Sequence, residues 1–478
     1  METRGIFDNL SPLDHRYSLS EPRLFESLSA ILGEAASVRS CARVEIALLK
    51  TLIRELSPAL GTPHLAAQLD HLASSLSPEE VYAEEAKVHH NIRALVNVLK
   101  RHLPEEVRPL VHLGATSVDI LDTAAALRYR EGTTRVVLPI LLDLQAQLIR
   151  LTRQEADTVQ VGRTHGQHAV PITFGFSMAG YVARLGKSMR RILERAQGLR
   201  GKLAGAVGAY NATALLVSDP RELERRVLGS LDLQPSEHST QLVEPEYLLQ
   251  LLLELNTAFG IIANLADDLR HLQRSEIGEV REEFTESQVG SSTMPQKRNP
   301  WNSEHVKSLW KAFSPRVVTF YMDQISEHQR DLTNSASSRF VVDYVAGFCL
   351  AASRMTSVVR SLVVDRRRMA ENLERAGDLL VSEAVYVLTA LGGDPEAHER
   401  VRQATLQAEK QRLPLAGVLR GDARLWELLD RQLRPRGTDA ETFFAAPGNY
   451  RGKASECAHA IADEHERAAQ EIREAIGG

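Results

Sequence analysis

Apolar residues recur at steps of three and four along several long segments of the chain. Between residues 136 and 158 the apolar positions Val137, Ile140, Leu141 and Leu144 are separated by polar residues such as Asp143. This spacing matches the 3.6-residue period of a helix with one apolar face. Similar patterns predict further long helices over residues 174–199, 247–273, 300–325 and 340–364.

Strand-like alternation between turn residues is nearly absent, so the sequence predicts an all-α protein. We expect three helical domains with a central bundle of five long helices. The turn at 113–117 and the charged stretch at 365–368 place the boundaries, giving residues 1–115, 116–365 and 366–478.

Composition narrows the function classes. Lys and Arg total 57 and Asp and Glu 62, a net charge of −5, so no basic surface favours nucleic acid. The three cysteines form no Cys-x-x-Cys pair, which disfavours a thiolate metal site and fits a reducing compartment. No run approaches the ~20 apolar residues of a membrane span. The expectation is a cytoplasmic protein that binds neither nucleic acid nor membrane.

A polar segment, Gly-Ser-Ser-Thr-Met-Pro-Gln-Lys-Arg-Asn-Pro at residues 290–300, lies between two predicted helices. Asn299 and Pro300 fit a helix cap followed by the first helical residue. Two interpretations stand side by side: a simple connection, or a lid whose hydroxyls and cations close on an anion.

A second polar segment, residues 162–171, contains His165 and His168. These histidines suit acid–base chemistry or a structural role, and metal binding is disfavoured because no carboxylate or thiolate stands at a recognised spacing. Segments 87–91 and 112–119 fit helix ends, which favours structural roles for His89 and His112. Residues 201–208 do not fit a nucleotide phosphate loop, because no strand is predicted before them and Lys202 lacks a following Ser or Thr.

Residues 290–300 resemble the signature loop of the fumarase/aspartase superfamily, Gly-Ser-Ser-x-Met-Pro-x-Lys-x-Asn-Pro, at every fixed position. Residues 112–119 and 163–171 are similar to two further blocks of that superfamily, in the same order. The resemblance implies the superfamily's long-helix fold, no metal or organic cofactor, and a homotetramer whose sites draw residues from three chains. The leucine-rich stretch at 248–255 is too apolar on several faces for one subunit, which favours assembly.

Within the superfamily, Ser-Pro-Leu-Asp-His-Arg-Tyr at 11–17 and the segment 330–339 resemble the adenylosuccinate lyase family. The resemblance implies elimination of fumarate from a succinylated purine nucleotide. Three positions depart from that family's usual pattern: Gln296 is the residue common in argininosuccinate lyases, Asn91 replaces an aspartate, and residues 244–246 lack an Arg-Asp pair.

The same resemblance implies the roles of individual residues. Ser291 is the candidate base, His165 the candidate general acid, and Lys297 and Asn299 the groups that stabilise the carbanion intermediate. His90 assists by binding substrate. Glu304 either orients a histidine by hydrogen bonding or is simply a first-turn glutamate that the helix dipole favours. The remaining substrate-binding candidates are Arg16, Tyr17, Thr116, Ser117, Thr164, Gln241, Ser292, Met294, Arg330, Ser335 and Arg339, with Arg16, Tyr17, Ser335 and Arg339 assigned to the phosphate.

Two alternatives stay open at this point. One is another fumarate-type lyase, such as argininosuccinate lyase or a carboxymuconate cycloisomerase, whose substrate carries no phosphate. The other is an inactive helical scaffold on the same fold, which would have little reason to keep Ser291, His165 and Lys297 together.

Overall fold

The computed structural model describes residues 5–284, 293–326, 328–331 and 333–477. Short helices and one long helix make up the N-terminal part. The long helix α3 carries buried Val44, Leu48 and Leu52 on its apolar face and packs against α4 and α7. The helices of this part are α1 (Arg16–Ser20), α2 (Pro22–Leu32), α3 (Glu34–Leu56), α4 (Pro63–Ser75), α5 (Pro78–Val88) and α6 (Asn91–Arg101).

The predicted central bundle is present. One helical run continues from α7 through a π-helical turn at Thr133–Val137 into α8, and α8, α9, α11 and α14 bury their apolar faces in one hydrophobic core. The elements are α7 (Ser117–Gly132), α8 (Leu138–Gln154), β1 (Val159–Thr164), β2 (Gln167–Thr173), α9 (Phe174–Gln197), β3 (Arg200–Gly201), α10 (Pro220–Ser230), β4 (Gln234–Pro235), α11 (Glu246–Leu272), β5 (Val280–Arg281), α12 (Trp301–Phe313), α13 (Arg316–Met322), α14 (Val341–Arg360) and β6 (Val363–Val364).

Two details of the bundle differ from the prediction. The helix expected over 300–325 is broken at Ser314 and Pro315 into α12 and α13, because proline has no backbone N–H to donate to the carbonyl four residues earlier. The expectation of almost no strands is wrong for residues 159–173, where β1 and β2 form an antiparallel hairpin. The other strands are two-residue pairs, β3 with β4 and β5 with β6.

Helix α11 is the most apolar of the long helices. By length and hydropathy alone it is the one described helix that could cross a bilayer, but 56% of the apolar window is buried inside the chain. A core helix of a globular protein has the same properties. Leu249, Leu251, Leu252 and Leu255 are all buried, so the leucine-rich stretch is largely satisfied within one chain.

The C-terminal part has its own small core, built around Val385, Leu415 and Leu429. The final helix leaves this core and packs against α8 and α9, where Ala462, Ala469 and Ile472 join the central core. The predicted domain boundaries stay predictions. The helices are α15 (Arg366–Ala376), α16 (Ser382–Leu391), α17 (Ala397–Gln411), α18 (Leu415–Leu419), α19 (Ala423–Leu433), α20 (Ala440–Ala445) and α21 (Ala454–Gly477).

Candidate active site

Thr116 and Ser117 lie at the N-terminus of α7, in a turn held by a buried carboxylate. The Asp119 side chain accepts hydrogen bonds from the backbone N–H groups of Thr116 at 2.8 Å and Gly205 at 3.2 Å. It also forms an ion pair with the Lys202 ammonium, and neither charged side chain is exposed. The free N–H groups and the dipole of a helix N-terminus favour an anion. Asp119 therefore fixes the geometry of this turn, and the binding of a substrate carboxylate there stays a prediction.

The segment after Lys202 is tied to the same helix. The Thr123 hydroxyl accepts from the Lys202 N–H and donates to the Lys202 carbonyl, both at 3.0 Å. A short strand, β3, does precede this segment, contrary to the prediction. The Lys202 ammonium points inward to Asp119 and to the Gly205 carbonyl, so its role here is structural and it cannot reach a phosphate at the surface.

Gln241 and the segment 330–339 approach α7 from another side. The Val243 N–H donates to Asp122 at 2.9 Å. Burial raises the pKa of the Asp122 carboxyl to about 6, although that N–H and the charges of Lys202 and Arg330 oppose the rise.

A cavity of about 180 Å³ lies beside Asp122 and is also lined by Glu244, Asn334 and Ser338. Ser335 and Arg339, the residues next to these two polar lining positions, are exposed. The structure therefore brings the chain after Gln241 and the segment of Arg330, Ser335 and Arg339 beside Asp122 of α7.

Thr164 and His165 occupy the tip of the β1–β2 hairpin. His165 and Gly166 both have positive φ values, 54° and 73°, the conformation of a tight two-residue hairpin turn. Thr164, His165 and Gly166 are exposed. The proton-donor candidate is thus exposed at the tip of a short hairpin.

A buried glutamate fixes the base of that hairpin. Glu279 is fully buried and accepts from Arg163 at 2.6 and 3.1 Å, from Gln160 at 2.8 Å and from Asn372 at 2.9 Å. Because Gln160 and Arg163 lie on β1 and Asn372 lies on α15, the carboxylate ties β1 to α15. Glu279 was not predicted, since an isolated glutamate carries no signal of burial in the sequence.

Of the signature segment at residues 290–300, the structure describes only residues 293–300. Ser291 and Ser292 therefore lie outside the described residues. Met294 and Lys297 are exposed and Asn299 is half-buried. The expected cap at Asn299 is displaced: α12 begins at Trp301. The side chain of Glu282 accepts from the N–H groups of Asn302 at 3.2 Å and Ser303 at 2.8 Å, because a carboxylate satisfies the unpaired N–H groups of a first turn.

Arg16 and Tyr17 begin α1 and lie against α12. The Tyr17 hydroxyl is 3.1 Å from His305 Nε2, and His305 follows the exposed Glu304. Burial lowers the pKa of the His305 imidazole, as do the charges of Arg354 and Arg16. The expected hydrogen bond from Glu304 to a histidine stays a prediction.

Two further histidines have structural partners. His90 caps α6, its Nδ1 accepting from the Arg93 N–H at 3.2 Å, and its substrate contact stays a prediction. His112 Nδ1 lies 2.7 Å from the fully buried Glu45. Within the described part of the chain no cluster of three or more His, Cys, Asp or Glu side chains could hold a metal.

Comparison with known proteins covers nearly the whole chain. Residues 35–312 match a lyase family model, and residues 326–434 match the model of the adenylosuccinate lyase C-terminal region. The adenylosuccinate lyase of Pyrococcus abyssi (strain GE5 / Orsay) is 33% identical over 457 residues, 93% of this chain and 95% of that protein. That of Archaeoglobus fulgidus is 33% identical over 453 residues, 93% of this chain and 96% of the relative.

Solved structures share the fold. The 3-carboxy-cis,cis-muconate lactonizing enzyme from Pseudomonas putida superposes with a TM-score of 0.75 at 25% identity, covering 94% of this chain and 97% of that one. A fumarate lyase from Mesorhizobium sp. BNC1 gives 0.76 at 24% identity, covering 92% and 97%. The extent and identity of the sequence matches place the chain in the adenylosuccinate lyase family, among the carbon–nitrogen lyases.

Proposed function

We propose that this protein eliminates fumarate from adenylosuccinate, giving AMP, and from the succinylocarboxamide ribotide of purine synthesis. The observation that carries the proposal is the 33% identity across 93% of the chain to relatives named for the first of these reactions. A cytoplasmic enzyme of purine biosynthesis that needs no metal or organic cofactor fits this assignment.

The chemistry requires removal of a weakly acidic proton beside a carboxylate. In the proposed mechanism Ser291 is the base, and the Lys297 ammonium and Asn299 amide stabilise the doubly charged carboxylate that develops. His165 protonates the departing nitrogen, because a neutral amine leaves more easily than its anion. The Thr116 and Ser117 turn, with Thr164 and Gln241, holds the succinyl carboxylates.

The phosphate distinguishes the proposed substrates from those of related lyases. Arg16, Tyr17, Ser335 and Arg339 are assigned to it, and Arg330 lies in the same segment as the last two. Arg16, Ser335 and Arg339 are exposed, so their polar groups are available to a ligand. A guanidinium matches the geometry of a phosphate and forms charge-assisted hydrogen bonds with it.

The proposal includes a homotetramer with sites shared between chains. His165 projects from an exposed hairpin tip, which suits a residue that completes the site of another subunit. An apolar surface on and after α13 supports assembly: Val318, Tyr321, Met322 and Ile325 are 60%, 52%, 67% and 81% exposed in one chain. Such a cluster is typical of an interaction surface.

The test of the proposed function is a substrate panel. Purified protein is incubated with adenylosuccinate, argininosuccinate or 3-carboxymuconate, and products are followed by ultraviolet absorbance and by detection of fumarate. Turnover of adenylosuccinate alone supports the proposal. Activity only on argininosuccinate would show that the proposed substrate is wrong. Activity only on carboxymuconate would show that the reaction is a cycloisomerisation. No activity on any of the three would favour an inactive scaffold.

A further inference from the structure

The contact between Tyr17 and His305 joins the start of α1 to the helix that follows the signature segment. Besides the 3.1 Å hydrogen bond, the two rings pack with centroids 5.6 Å apart. Both residues are half-buried. Tyr17 is assigned to the phosphate in the proposed function, on which this inference rests, whereas His305 has no role in it.

The direction of the hydrogen bond decides what Tyr17 can offer a ligand. If the tyrosine donates to Nε2, its only O–H is used inside the protein. If Nε2–H donates to the tyrosine oxygen instead, the O–H stays available as a donor to an anion.

The surroundings of His305 favour the second arrangement. His305 Nδ1 is buried and has no hydrogen-bond partner among the described residues. A neutral imidazole carries one proton. Placing it on Nδ1 would bury an N–H without an acceptor, which is rarer in proteins than a buried acceptor without a donor. The nearby guanidinium groups of Arg354 and Arg16 favour the neutral ring.

The same neighbourhood suits an anion. Arg354 lies over the Trp301 ring, 5.3 Å from its centroid, and its Nε is also buried without a partner in the described structure. Arg16 adds an exposed guanidinium. Arg354 and Arg16 therefore lie close enough to His305 to lower its pKa, and Arg354 interacts with Tyr17 as well as with the carboxylates of Glu21 and Glu282.

We propose that His305 is a positioning residue: it donates Nε2–H to the Tyr17 hydroxyl and so directs the tyrosine O–H toward the substrate phosphate. The histidine acts on binding through Tyr17 and touches no reacting atom. The expected loss is about tenfold in KM for each single substitution, the size of one hydrogen bond to a charged group.

The test is a double-mutant cycle. KM and kcat are measured for the wild type, Tyr17→Phe, His305→Leu and the double variant, with adenylosuccinate and with the phosphate-free nucleoside, succinyladenosine. We expect both single variants to raise KM for the nucleotide about tenfold with little change in kcat, the double variant to equal Tyr17→Phe, and KM for the nucleoside to stay constant. His305→Gln should restore most of the affinity, because its amide N–H can replace Nε2–H.

The control is His102→Leu, which removes an exposed histidine paired with Glu80 and should leave KM unchanged. The inference would be overturned if the KM of the double variant rose by the product of the two single effects, or if KM for the nucleoside rose equally. It would also be overturned if His305→Gln did not restore KM. If the wild type does not turn over adenylosuccinate, the proposed function fails instead. AMP binding to the same variants, measured by calorimetry, then decides separately whether His305 supports a phosphate site through Tyr17.

Discussion

The ammonium of Lys202 and the carboxylate of Asp119 form an ion pair in which both side chains are fully shielded from solvent. The pair connects the turn of Thr116 and Ser117 to the segment that begins at Lys202. The Asp119 carboxylate also accepts hydrogen bonds from the N–H groups of Thr116 and Gly205, which occupy its remaining acceptor positions. The geometry of the proposed carboxylate site therefore depends on two charges that never meet the substrate.

Lys202→Met should lower the free energy of unfolding by about 3–5 kcal/mol, because it leaves the Asp119 charge buried without a cation. Urea unfolding followed by circular dichroism measures the loss. Lys453→Met is the matched control, since Lys453 and its partner Glu456 are exposed, and it should change the stability by less than about 0.5 kcal/mol. Equal effects of the two substitutions would contradict the structural role of Lys202.

His465 should make the stability of the protein depend on pH. Its side chain is buried in the central bundle, where a Cβ atom on Gly186 would lie 2.2 Å from Nδ1, and burial lowers its pKa. In the unfolded chain this histidine has its ordinary pKa of about 6.5. As the pH falls through that value, the unfolded chain therefore binds more protons than the folded chain. The neutral histidine therefore contributes fully to the free energy of unfolding above about pH 6.5, and this contribution is lost as the pH falls.

Unfolding free energies at pH 5.5 and 7.5 check this expectation. His465→Gln should reduce the difference between the two, by at most about 1.4 kcal/mol per pH unit. His64→Gln, at an exposed site, is the control substitution. A His465→Gln profile as steep as that of the wild type would show that His465 is not the group responsible.

Arg339→Ala should weaken the nucleotide substrate selectively. Loss of a guanidinium on a phosphate costs about 1.5–3 kcal/mol, which corresponds to a rise of about 10- to 150-fold in KM for adenylosuccinate. KM for succinyladenosine should stay within about twofold of the wild-type value, because a missing phosphate leaves nothing for Arg339 to bind. Arg434→Ala, which removes an exposed arginine paired with Asp430, serves as the control. Similar losses with both substrates would remove Arg339 from the phosphate site.

The helical part of the fold is predictable because apolar spacing over twenty or more residues averages out local exceptions. The β1–β2 hairpin is not predictable in this way, because its strands are only six and seven residues long. Gly166 after His165 is its clearest local signal. The break at Pro315 carries a signal as well, since proline has no backbone N–H to donate within a helix.

The candidate site likewise has a part that the sequence predicts and a part that it does not. Motifs identify the polar segments of the candidate site, but the groups that hold them are single residues whose burial depends on distant parts of the chain. Glu279 meets Arg163 across 116 positions, and Lys202 meets Asp119 across 83. No local pattern contains such a pair, so Glu279, Glu282 and His305 emerge only from the three-dimensional structure.

The most direct measurement is release of fumarate from adenylosuccinate by the wild type and by Ser291→Ala under identical conditions. We expect AMP and fumarate in equal amounts from the wild type, and a kcat lower by about 10²- to 10⁴-fold in the variant, because it lacks the catalytic base. Circular dichroism of both proteins establishes that the variant is folded. Fumarate release by Ser291→Ala at the wild-type rate would exclude Ser291 as the base, and no release from the folded wild type would exclude the proposed reaction.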